Sequence, residues 1–191
     1  YLDCICAFDI ETSTDKALNI NYMYIWQFQI DDMYTIIGRR WYEFTDMLQK
    51  ISDYLDDMTL VVYVHNLSYE FQYLKGLFDI GEHDVFASDV RRVIKFTALG
   101  NIEFRCSMML SNMSLKQFTH SMKVEHEKLD GSDIYDQEYF PWTELPDHVL
   151  QYSAYDVIGL AEAVKAKMRL DGDTLYTIPL TSTGYPRRDM K

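Results

Sequence analysis

Residues 2–10, LDCICAFDI, form an apolar run that remains apolar on both sides of an extended chain. With a period of two, Leu2, Cys4, Cys6, Phe8 and Ile10 share one face, and Asp3, Ile5, Ala7, Asp9 and Glu11 share the other. Residues 4–8 are apolar on both faces, so the run is predicted to be a central strand covered on two sides. A chain of 191 residues suits one ordinary domain. Apolar types at 48% and charged types at 25% exclude a disordered or fibrous chain. No apolar run is long enough for a membrane span, so no membrane partner is expected.

Further strands are predicted over 21–30, 33–37, 59–64, 92–99 and 102–105, with Gly100 and Asn101 turning the last pair into a hairpin. Helical spacing predicts helices over 41–55, 68–78, 115–122 and 147–170. Asn66 or Ser68 is expected to cap the second helix. The last helix carries a stripe of Leu150, Ala154, Val157, Ala161, Val164 and Met168. Residues 123–145 read as irregular. This mixed order predicts an α/β or α+β domain on a mixed sheet. The expected organisation is one domain over 1–170 and a linker or tail over 171–191.

Three groups of polar residues interrupt this scaffold. Asp9 and Glu11 end the first strand on one face, about 7 Å apart along it. Held that close, two carboxylates favour a hard divalent cation between them, although a solvated strand end would read the same way. Residues 64–70, VHNLSYE, follow a buried strand and open a helix, which puts Glu70 in the first turn. Tyr152 and Asp156 lie one turn apart on the long helix, beside its apolar stripe. Together they supply four carboxylates, enough for two metal ions clamping a phosphodiester. Tyr152 would orient the attacking water, because a phenol is a poor base at neutral pH.

The three groups resemble the exonuclease motifs of family B DNA polymerases, most closely the protein-primed polymerases of bacteriophages and mobile elements. Residues 8–12 (FDIET) resemble the first motif, residues 63–70 (YVHNLSYE) the second, and residues 152–156 (YSAYD) with 158–163 (IGLAEA) the third. The resemblance covers residues 2–170. It implies a ribonuclease H-like 3′→5′ exonuclease fold, in which a mixed central sheet is flanked by helices. It implies a proofreading activity on a single-stranded DNA 3′ end, with two Mg²⁺ or Mn²⁺ ions as cofactors. Asp9, Glu11, Glu70 and Asp156 would bind the metals, Tyr152 would position the water, and Lys128 would assist catalysis. Thr12, His65, Asn66, Tyr69, Ser107, Met108 and Tyr135 would contact the DNA, and Tyr73, four residues after Tyr69 on the same helix, is expected to offer a second ring for a base to stack on. Two departures stand out: Glu70 occupies a position that is normally Asp, and Cys106 replaces an acid beside Ser107. The resemblance further implies a piece of a longer polymerase, with the polymerase domain of the parent chain beyond the tail. The bacterial host cytoplasm is the expected location, with a phage or mobile element as the source.

Two other classes remain open. One is a nucleic-acid-binding module of the same fold with weak or lost catalysis, for which Glu70 would be the symptom. The other is a free-standing exoribonuclease with the same tyrosine-type site. Three cysteines are too few and too odd in number for a disulfide framework. Lys plus Arg total 18 against 30 Asp plus Glu, a net charge of −12 that argues at first against a nucleic-acid partner. The four site acids account for part of that excess. Arg91, Arg92, Lys95, Arg105 and Lys128 are the cations expected along the strand's path.

Overall fold

The computed structural model describes residues 1–189. Seven strands form one mixed sheet: β1 (Ile5–Asp15), β2 (Ile20–Ile30), β3 (Tyr34–Gly38), β4 (Leu60–Val64), β5 (Val85–Asp89), β6 (Arg92–Ala98) and β7 (Ile102–Cys106). Their order is β3-β2-β1-β4-β7-β6-β5. β1, β4 and β7 run parallel, and the remaining pairs are antiparallel. The helices are α1 (Trp41–Leu55), α2 (Leu67–Leu74), α3 (Ser107–Ser111), α4 (Leu115–Met122), α5 (Asp147–Asp171) and α6 (Gly184–Asp189).

The two apolar faces of β1 explain the layers. Cys6, Phe8 and Ile10 enter a core shared with Phe44 and Leu48 of α1 and Leu67 and Leu74 of α2. Ile5 and Ala7 enter a second core with Phe118 of α4 and Val157, Leu160 and Val164 of α5. Helices therefore cover both sides of the central strands, which is why those strands lack a polar face. A third cluster, with Tyr24, Ile25, Ile134, Tyr139, Leu145 and Val149, pins the irregular segment between α4 and α5.

Several boundaries differ from the periodicity. β1 runs on to Asp15 because β2 keeps pairing with it to the end, through a bulge between Glu11 and Thr12. α2 stops at Leu74. β5 has no clear sequence signal, since this edge strand is exposed along most of its length. α5 is buried on more than its expected stripe: Tyr152, Ser153 and Asp156 are buried with Val157, while Leu150 and Ala154 are only half-buried. The helix is enclosed by the sheet, by α4 and by the irregular segment, so apolar spacing alone underestimates its contact. After α5, Leu175 and Ile178 pack into the second core, and the Leu175 carbonyl accepts a hydrogen bond from Arg105.

The topology creates a crevice. β1 pairs with β4 only from Ile5 to Ala7, opposite Val61 to Tyr63. β4 then ends at Val64 and the chain turns into α2, while β1 continues. Residues 9–11 thus border a gap beside the carboxyl end of β4. From β1 the chain proceeds to β2 and β3 on one side, while β4 and β7 lie on the other. Such switch points are where open α/β sheets place ligands.

Candidate active site

Strand alternation sends Asp9 and Glu11 to the α5 face of the sheet. α5 crosses β1 there and lowers Asp156 toward them. Carboxylate oxygens of Asp9, Glu11 and Asp156 lie within 4.8 Å of one another. Glu70, in the first turn of α2, stands outside that triple but is 4% exposed and interacts with Asp9. Four acids drawn from three elements therefore share one crevice.

This crowding is electrostatically costly. Burial, and then the Asp156 charge, push the Asp9 carboxyl up to about 7. Burial and the Asp9 charge hold Glu11 and Glu70 well above the usual carboxylate range. Asp156 is also raised by burial, against the opposing pull of Lys128. Glu70 Oε2 and Asp156 Oδ1 are buried and without a hydrogen-bond donor. A buried acceptor left bare costs roughly 1–3 kcal/mol. Converging carboxylates with bare oxygens fit a hard divalent cation, which prefers oxygen ligands and relieves their repulsion.

One cation is already in place. Lys128 Nζ donates to Asp156 Oδ2 at 2.5 Å and to the Tyr152 hydroxyl at 2.9 Å. Burial opposes its charge, but Asp156, Asp9 and Glu11 outweigh that effect and raise its pKa. Tyr152 is 1% exposed, and its hydroxyl also meets that of Tyr135 at 2.6 Å. Burial and the Tyr135 contact raise the Tyr152 pKa, so the phenol keeps its proton.

The irregular segment reaches this position through close contacts with α5. Both oxygens of Glu162 bind His126, one at its backbone N–H (3.0 Å) and one at Nδ1 (2.7 Å). A Cβ on Gly159 would lie 2.1 Å from the His126 carbonyl oxygen, and one on Gly131 would lie 2.7 Å from the Tyr152 ring. Two glycines thus let the segment lie flat on the helix and deliver Lys128.

Apart from Tyr135, which sits against Tyr152, the residues expected to contact DNA form two groups. Thr12 and Tyr69 share a hydrogen bond of 2.6 Å, and Tyr73 and Asn21 meet the same Tyr69 hydroxyl at 3.4 Å each. The Tyr69 and Tyr73 rings stand edge to face at 5.6 Å. In the second group, His65 is held on both nitrogens. Because a carbonyl only accepts, Nε2–H donates to Met113 O (3.1 Å) and Nδ1 accepts from the Ser107 hydroxyl (2.9 Å). Burial lowers the His65 pKa to about 4, so the ring is neutral. Met108 is 37% exposed beside them. Asn66 is exposed at the N-cap of α2 but makes no side-chain cap bond. Ser68 does not cap either: its hydroxyl accepts from the Val93 N–H of β6.

Two expected cations are otherwise engaged. Arg105 is buried, and Glu103 binds both it (2.6 Å) and Lys95 (2.8 Å). An acid two residues before Arg105 on the same strand face was the available signal. Gln27 is a site residue that the sequence reading missed. It pairs with Asp9 across β1 and β2, is fully buried, and donates to Asp9 Oδ2 at 2.9 Å. An amide among the apolar residues of β2, with Gln29 two residues on, was its only sequence signal.

No protein-family model matches the chain, and no curated protein sequence matches it. Solved structures do match. Phi29 DNA polymerase in a ternary complex with primer-template DNA and incoming nucleotides superposes with TM-score 0.70 at 15% identity, over 90% of this chain and 32% of its own. The same polymerase with single-stranded DNA gives TM-score 0.68 at 16% identity, over 89% and 32%. Its orthorhombic crystal form gives TM-score 0.67 at 15% identity, over 93% and 32%. The chain therefore spans about a third of the length of the polymerase chains it matches, and at this identity the likeness establishes the fold. The expected α/β architecture, a mixed central sheet flanked by helices, and the expected likeness to a protein-primed family B polymerase both hold at the level of the fold.

Proposed function

We propose that this chain is a proofreading 3′→5′ exonuclease domain of a protein-primed, family B DNA polymerase, removing nucleotides from the 3′ end of single-stranded DNA. The observation that carries this reading is the convergence of the Asp9, Glu11 and Asp156 carboxylates within 4.8 Å in a buried crevice. The fold shared with Phi29 DNA polymerase bound to primer-template and single-stranded DNA supports DNA as the polymer. In the parent protein, a polymerase domain follows residues 171–191. The protein works in the cytoplasm of a bacterial host as the product of a phage or mobile element. Among the described residues, no helix is long and apolar enough to cross a membrane.

Asp9, Glu11, Glu70 and Asp156 would hold two Mg²⁺ or Mn²⁺ ions. When bound, such ions supply Lewis acidity to the phosphodiester and to the attacking water. Tyr152, kept protonated, orients that water by hydrogen bonding. Lys128 holds Tyr152 and Asp156 in register and adds positive charge where the pentavalent phosphate gains negative charge. Thr12 and Tyr69 hold the terminal nucleotide, with Tyr73 behind them. His65, Asn66, Ser107, Met108 and Tyr135 also contact the 3′ end. Gln27 fixes the orientation of Asp9 from behind.

Glu70 favours one second reading, a slow or inert module of the same fold, since its extra methylene shifts a carboxylate at the centre of the site. Incubating a 5′-labelled DNA strand with the protein in Mn²⁺ tests both. A ladder shortening from the 3′ end is expected, and Asp9→Ala with Glu11→Ala abolishes it without loss of fold. Binding without cleavage at every Mn²⁺ concentration selects the inert module. Faster decay of an RNA strand of the same sequence overturns the choice of DNA.

A further inference from the structure

Beside the Thr12–Tyr69 pair, on the same edge of the sheet, lies a cleft of about 330 Å³ lined by Asn21, Tyr22, Arg39, Arg40, Trp41 and Tyr73. Its aromatic lining is Tyr22, Trp41 and Tyr73. Trp41 lies 6.1 Å from Tyr73, whose ring neighbours Tyr69. Tyr22, which also lines the cleft, continues outside it into a nearly parallel stack with Phe140 and Trp142, with centroid spacings of 5.5 and 5.0 Å and interplanar angles of 11° and 12°.

The outer ring of that stack, Trp142, is 71% exposed. A tryptophan left in water at the end of an ordered stack offers a free face. The platform is anchored: Arg39 donates from Nε to the Tyr24 carbonyl (2.6 Å) and from Nη2 to the Phe140 carbonyl (2.7 Å). Arg40 is exposed beside it. Two adjacent arginines thus line an aromatic cleft, with the Glu43 carboxylate held on their backbone N–H groups. Aromatic faces for bases with cations for phosphates make the combination that binds single strands without sequence preference. The cleft also adjoins the Thr12–Tyr69 pair. Asn21 lines it and meets Tyr69, which binds Thr12, next to Glu11.

We propose that this cleft and the adjoining stack seat the nucleotides preceding the scissile one, with bases stacked on Trp41 and on the outer face of Trp142 and phosphates on Arg40. The proposal rests on the exonuclease reading for the direction of the strand, and its test separates the two. Fluorescent oligothymidylates, a dinucleotide and an octanucleotide, are titrated into the protein in Ca²⁺, followed by anisotropy. The octanucleotide is expected to bind at least about tenfold more tightly, the order expected for one or two stacked bases. Trp142→Ala with Arg40→Ala reduces that gain to about twofold or less, while dinucleotide affinity is the control. Trp142→Phe restores most of the gain, which a merely structural role for residue 142 would not require. A double variant that keeps the full gain, or a protein with no gain at all, overturns the proposal. Absence of cleavage in Mn²⁺ alongside a gain that depends on Trp142 defeats the nuclease reading and supports the cleft.

Discussion

Lys128 Nζ lies 2.5 Å from Asp156 Oδ2 and holds the Tyr152 hydroxyl at 2.9 Å. The ammonium comes from an irregular segment and the two partners from successive turns of α5. One positive charge is thereby placed against three converging acids, and it makes their assembly tolerable in the absence of metal.

Replacing that cation exposes the cost. Lys128→Met leaves Asp156, which is 4% exposed, as a buried charge without its partner. Breaking such a pair costs about 3 kcal/mol. The expected result is a lower melting temperature in chelator, partial recovery in Mn²⁺ and a reduced cleavage rate. An unchanged melting temperature would show that the pair is solvated.

The acid cluster makes stability depend on pH with a definite sign. Asp9 is raised to about 7 from an ordinary value of 3.8, by burial and then by Asp156. Between those values the folded state binds more protons than the unfolded state, so the cluster's contribution to stability falls as pH rises. Metal stabilisation has the opposite trend, because ligands must lose their protons to bind. Melting temperatures measured in chelator and in Mn²⁺ should diverge above about pH 7 and converge below about pH 6. Asp9→Asn should flatten both curves.

Gly159 is a place where one methyl group reaches the site indirectly. Its Cβ would lie 2.1 Å from the His126 carbonyl oxygen, and Lys128 follows two residues later. Gly159→Ala should lift the segment, cost about 1–3 kcal/mol, and lower cleavage at least about tenfold through the misplaced ammonium. Gly76→Ala is the control, with only the Tyr73 carbonyl near, at 3.8 Å; circular dichroism and cleavage should both match the parent.

His65 titrates in the opposite sense to the acids. Burial lowers it to about 4 from 6.5. Between those values the unfolded state binds more protons, so this contribution to stability is present above pH 6.5 and is lost as pH falls toward 4. His65→Gln, whose amide can still donate to Met113 O, should remove that acid-limb loss. Urea midpoints of parent and variant between neutral pH and pH 4 measure the difference directly. Parallel curves would mean that the ring is already solvated.

The local patterns were legible because they rest on backbone periods. The two faces of β1 sorted correctly into two cores, α1 and α4 have their predicted limits, and Gly100 turns the β6–β7 hairpin at φ +79°. What the patterns missed has no period. β5 is a short exposed edge and α3 is a short helix of five residues. Asn66 stands at the N-cap of α2 without a side-chain bond, and Ser68 does not cap, because its hydroxyl accepts from the Val93 N–H of β6.

The sequence by itself determined that a twice-buried strand would end in two acids on one face. It likewise determined that Tyr152 and Asp156 would lie one turn apart. Those relations span at most five residues, and strand and helix geometry sets them. Only the tertiary structure decided that β1 outruns β4, so that the acids border a crevice. Packing across the sheet brought Asp156 down from α5 and Gln27 in from β2. The same packing tied Arg105 to Glu103, taking it from the expected strand path. The reason is physical: a repeat fixes which way a side chain faces, whereas its partner depends on which distant surfaces bury each other.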